Sequence, residues 1–76
     1  MSEGLPRIDC HVLVRALERA GSVRKRQKGS HLHMWREADK KRVTVPVHEG
    51  KIVPPGTLRA ILRDADISIE EFRGLL

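Results

Sequence analysis

In the stretch His31-Leu32-His33-Met34-Trp35-Arg36, the two histidines and the tryptophan fall on alternate residues. An extended chain sends successive side chains to opposite faces. His31, His33 and Trp35 therefore share one face, while Leu32, Met34 and Arg36 take the other. An imidazole gives or takes a proton near neutral pH, an indole stacks on a nucleobase, and Lys and Arg bind phosphates. RNA carries its own nucleophile in the 2′-hydroxyl, so cleaving it requires only proton transfer and stabilised charge at phosphorus. In this scheme His31 is the general acid/base. Arg24, Arg26 and Lys28, just upstream, are placed to stabilise that charge, and Gly29 lets the backbone approach a phosphate closely.

Three readings fit these residues. The first is the proton-transfer site just described. The second is a metal site on His31 and His33, for which the chain offers no Cys pair and no carboxylate at ligand spacing. The third is a solvated sheet face that carries two histidines and a tryptophan without chemistry. Other residues suggest less. His11 falls on a solvated helix position, and His48 either supports the site or caps a loop. Asp64 and Asp66 read as a helix end, and the single cysteine, Cys10, as a small apolar helix residue. No phosphate-cradling glycine motif, Ser-His-Asp arrangement or EF-hand loop is present.

The elements that must position these residues follow from the hydrophobic pattern. Ile8, Val12, Leu13, Ala16, Leu17 and Ala20 recur at helical spacing, with Asp9 as N-cap and Gly21 past the end, which predicts a helix over about 9–20. Three strands follow, over about 22–27, 31–37 and 42–47, with Lys28-Gly29-Ser30 as a turn and Ala38 to Lys41 as a hairpin connection. Strands so close in sequence pair most economically as an antiparallel meander. Leu32 and Met34 suit the face that helices cover; a one-residue slip would expose them and bury the histidines. Pro46 marks an edge strand or a strand end. Leu58, Ile61, Leu62 and Ala65 predict a second helix that Asp66 ends in a left-handed conformation. Ser68 and Glu71 form a capping box for a last short helix, with Ile67 and Phe72 at the staple positions and Leu75 and Leu76 folding back on the core. The fold class is α+β: a two-layer sandwich in the order α-β-β-β-α, with a three-stranded antiparallel sheet, a short C-terminal helix and one open sheet face.

Length and charge set bounds on this reading. The 76 residues suffice for one domain, with 1–7 as a loose lead-in. One cysteine allows no internal disulfide, which suits a reducing cytoplasm. No apolar stretch of signal-peptide or membrane-spanning length is visible. The net charge is +5, and the segment 24–42 alone carries +6, against −1 for the rest. An excess confined to one stretch marks a polyanion site, and the absence of an amphipathic helix there disfavours a membrane surface.

Arg26-Gln27-Lys28-Gly29-Ser30-His31, then Val43-Thr44-Val45-Pro46-Val47-His48, then Gly56-Thr57-Leu58-Arg59-Ala60-Ile61-Leu62 resemble, in order and spacing, the three signature stretches of HicA toxins. The tail Ile67-Ser68-Ile69-Glu70-Glu71-Phe72 is similar as well, so the resemblance runs from about Ile8 to Leu76. It implies an mRNA interferase, the toxin half of a toxin–antitoxin pair, on a fold like the double-stranded-RNA-binding domain. It further implies that the histidine of Gly-Ser-His, here His31, is catalytic and that Gly29 and Ser30 belong to the RNA site. Cleavage would need no metal or cofactor, and a HicB-type antitoxin would cover the histidine. The chain departs from the pattern at Ser22, where an aromatic is usual, at Glu37-Ala38-Asp39-Lys40, which replaces a Pro-Asp-Gly turn, and at Asp66, where glycine is common. His33 and Trp35 lie outside the signature, and their place in the RNA site rests on the strand argument alone. Two alternatives stay open: a non-catalytic RNA- or DNA-binding module on this fold, and an inactive toxin remnant.

Overall fold

A computed structural model describes residues 5–76. Residues 1–4 of the expected lead-in lie outside the described residues. The first helix, α1, spans Cys10–Arg19 and buries Cys10, Leu13, Val14, Ala16 and Leu17. Asp9 starts it, accepting the Val12 N–H at 3.0 Å. Gly21 stops it: its φ of +102° lets the Ser22 N–H reach the Leu17 carbonyl at 3.0 Å and its own N–H reach that of Glu18 at 3.0 Å. These two bonds satisfy carbonyls that the helix end would leave orphaned.

Three strands follow: β1 (Val23–Lys28), β2 (His31–Arg36) and β3 (Lys41–Pro46). They form one antiparallel sheet in the order β1-β2-β3, the expected meander. The boundaries shift by a residue. Ser22 is buried in the helix-terminating turn rather than in the first strand, Glu37 lies in the β2–β3 turn, and Lys41 joins β3. Pro46 is the last residue of the edge strand β3, so its missing N–H costs no ladder bond.

The second helix, α2, spans Pro55–Asp64 and buries Leu58, Ile61 and Leu62. It ends as α1 does: Asp66, at φ +57°, lets the Ile67 N–H reach the Leu62 carbonyl at 2.9 Å. A third short helix, α3 (Ile69–Gly74), starts on the full capping box of Ser68 and Glu71. Ile67 and Phe72, at the staple positions, are both buried. Leu75 packs against the core, whereas Leu76 is exposed, contrary to the expectation that both fold back.

One face of the sheet is covered. Leu32 and Met34 from β2 and Val43 and Val45 from β3 join the helix residues in a single core. The cover does not reach β1, which is exposed at every position. The opposite face of the sheet, and all of β1, are left to solvent.

Candidate nucleic-acid interface

The β1–β2 connection has two residues, Gly29 and Ser30. Gly29 has φ +61° and Ser30 is not among the positive-φ residues, the pattern of a type II′ hairpin turn. Nothing lies within 4 Å of a Cβ built on Gly29, so glycine is required there by backbone conformation, not by crowding. The Gln27 side chain donates to the Gly29 carbonyl at 3.1 Å, and the Val47 N–H donates to the Ser30 carbonyl at 2.7 Å. The tip is thus tied to β1 and to the residue that follows β3. It places His31 as the first residue of β2, exposed, with Lys28 opposite on β1 and Pro46 opposite on β3. The exposed His31 side chain makes no hydrogen bond or ion pair with another described residue.

Cross-strand partners share a face. His33 pairs with Arg26 on one side and Thr44 on the other; Trp35 pairs with Val23 and Arg42. The open face therefore carries His31, His33 and Trp35 together, flanked by Arg26, Lys28 and Arg42. His33 is held there by a 3.0 Å hydrogen bond between its Nδ1 and the Thr44 hydroxyl. The Trp35 indole is half-buried. Its N–H donates to Glu37 at 2.7 Å, and its ring has the Arg42 guanidinium 5.5 Å and the Lys40 ammonium 5.8 Å from its centre. These cation–π contacts engage part of the ring surface that was assigned to a base. Lys25, Arg26, His33, Trp35, Glu37 and Arg42 border a wide, shallow depression at this end of the sheet.

Arg24 does not join this group. The register shifts between Arg24 and Arg26, so Lys25 is an extra, bulged residue. Arg24 then pairs with Met34, a covered-side residue, and its guanidinium binds Glu18 of α1 at 3.2 Å. Lys25, and not the expected Arg24, borders the open-face depression. A bulge has no clear signal in Val23-Arg24-Lys25-Arg26, where every side chain but the first is basic.

Arg36, at the far end of β2, is also structural. It donates through Nε and Nη2 to the two Asp39 oxygens, both at 2.8 Å, and to the Ala65 carbonyl at the end of α2. The bidentate bond raises its own pKa and holds the Asp39 carboxyl below its ordinary value. Glu37 is likewise held low, first by Lys40 and then by the Trp35 N–H. This network closes the β2–β3 turn, in which Lys40 adopts φ +61° where glycine would be unstrained.

The remaining histidines lie elsewhere. His11 sits on the exposed side of α1, 2.8 Å from Glu49, and the His48 carbonyl lies 3.9 Å from the buried Cys10 thiol. Among the described residues no group of three His, Cys, Asp or Glu side chains converges as for a metal. Also among them, no helix is long and apolar enough to cross a membrane.

Among known families, the model for the HicA toxin of bacterial toxin–antitoxin systems matches residues 12–67. The matched stretch holds the whole sheet, the Gly29-Ser30-His31 turn and α2. No curated protein matches the chain.

Proposed function

This chain belongs to the HicA toxin family of bacterial toxin–antitoxin systems, and from that premise we propose that it is an endoribonuclease that cleaves mRNA at His31. One observation carries the proposal. His31 stands exposed at the rim of an open sheet face, on a hairpin tip whose turn requires glycine, with Lys28 directly opposite. In this reading the 2′-hydroxyl of the RNA attacks the adjacent phosphorus. His31 moves a proton in that step, and Arg26 and Lys28 offset the charge that develops on the phosphoryl oxygens. Lys25 and Arg42 extend the phosphate-binding strip along the face, and Trp35 lies at its far end. Gly29 and Ser30 border the reacting phosphate. Arg24 is left out of the RNA site because Glu18 holds it toward α1.

The partner in this proposal is a HicB-type antitoxin that covers His31. No other described segment of the chain covers the open face, which leaves His31 open to a partner. Cleavage is proposed to require no metal, because the 2′-hydroxyl supplies the nucleophile and side chains supply the rest.

The test is incubation of a long transcript with the purified protein in EDTA. Fragments ending in a 2′,3′-cyclic phosphate are the expected result. An intact transcript retarded on a gel would instead make the domain a binding module, and no effect of any kind would make it an inert toxin remnant.

A further inference from the structure

We propose that His33 carries the second proton of the same cleavage reaction, held in position by Thr44. This inference rests on the endoribonuclease reading and extends it to a residue that the family signature does not contain. Transesterification moves two protons. The 2′-oxygen loses one as it bonds to phosphorus, and the departing 5′-oxygen gains one as its bond to phosphorus breaks. The products are a 2′,3′-cyclic phosphate and a 5′-hydroxyl, with no other reactant consumed. The entering and leaving oxygens lie on opposite sides of phosphorus, so two separate groups serve them best.

The sheet supplies two such groups at a suitable spacing. His31 and His33 are two residues apart on one strand and face the same way, which separates their backbones by about 7 Å. A hydrogen bond from each ring spans roughly 3 Å, so the pair can bracket one phosphate. The two rings differ in how they are held. The His31 side chain has no partner among the described residues, whereas the Nδ1 of the exposed His33 is held 3.0 Å from the Thr44 hydroxyl, which leaves its Nε2 as the nitrogen available to a substrate. A hydroxyl can donate to or accept from Nδ1, so Thr44 accommodates the ring both neutral and protonated. The charged groups around His33 are Arg26 opposite it on β1, Arg42 two residues from Thr44 along β3, Lys25 and Glu37 at the border of the same depression, and Asp64 of α2 on a second depression that His33 also lines. A phosphate between the two histidines would meet Lys28, opposite His31, and Arg26, opposite His33.

The experiment compares wild type, His31→Ala, His33→Ala, Thr44→Val and Thr44→Ser on an RNA oligonucleotide carrying a mapped cleavage site. His33 is exposed, so its removal leaves the core intact. For wild type, kcat/KM should follow a bell-shaped pH profile. His33→Ala should lower kcat by 10²–10⁴-fold with little change in KM and remove one limb of the bell. Thr44→Val should lower kcat several-fold, and Thr44→Ser should restore it. A second substrate replaces the 5′-oxygen at the cleaved bond with sulfur, whose thiolate leaves without a proton. One histidine variant should recover on it and the other should not. The inference is overturned if His33→Ala keeps near-normal kcat and both limbs, or if the sulfur substrate rescues both variants or neither. The underlying reading fails separately, if wild type leaves RNA intact or His31→Ala cleaves it as well as wild type.

Discussion

Three residues show how much a single backbone angle decides here. Gly29, Lys40 and Asp66 all have φ near +60°, and only one of them is glycine. For the other two, a Cβ crowds the following carbonyl at a cost of roughly 1–2 kcal/mol, less for Asp because it tolerates this region. Asp66 occupies the position after α2 that glycine usually fills, so Asp66→Gly should raise stability by up to about 1 kcal/mol, read as a higher midpoint in urea unfolding. Gly29→Ala should do the reverse, costing about 1–2 kcal/mol, and should also reduce cleavage, since the turn sets the place of His31. Both effects trace to residue types that the sequence displays openly. Lys40 was harder to read, because a Lys in a Glu-Ala-Asp-Lys turn gives no warning of its backbone angle. It becomes intelligible once its ion pair with Glu37, at 2.5 Å, and the neighbouring Arg36–Asp39 bond are seen to close the turn.

At the scale of elements, the helices were legible because most of their ends carry a start or stop signal. Asp9, Gly21, Asp66 and the Ser68–Glu71 box all act where their chemistry indicates. Ser68→Ala should cost about 1 kcal/mol of stability by thermal or urea unfolding. The box also gives a pH dependence. The Ser68 backbone N–H and hydroxyl hold the Glu71 carboxyl below its ordinary value, and Asp39 and Glu37 are lowered by their cations. Carboxyls with depressed folded-state pKa values contribute stability that is present above the ordinary carboxylate range and is lost as pH falls through the folded values. Unfolding midpoints should therefore be level near neutrality and fall in acid, with a shallower acid fall in Glu71→Gln. These groups are solvent-exposed, so the effect of each is modest. The strands were legible where they meet the core. Alternation in β2 correctly assigned Leu32 and Met34 inward because burial enforces the register. It offers no guide in β1, where no position is buried and nothing in the apolar pattern reveals the bulge at Lys25.

The whole molecule divides its charge in a way that composition does not show. The basic segment 24–42 folds so that Arg24 and Arg36 brace the structure from the helix side, while Arg26, Lys28 and Arg42 flank the histidines. RNA affinity should fall steeply with salt. Arg26→Ala should reduce the slope of log K against log salt by about one phosphate contact, and Arg24→Ala should leave it nearly unchanged. Membership of the toxin family adds what the geometry alone does not, an antitoxin as the expected partner of the chain. The central claim is that this surface reacts through His31, and the most direct measurement is the cleavage rate of one transcript, in EDTA, by wild type and His31→Ala at matched concentration. Rapid cleavage by wild type and loss of at least 10²-fold in the variant, with folding and RNA binding retained, is the predicted result. Equal cleavage by the two proteins would contradict it.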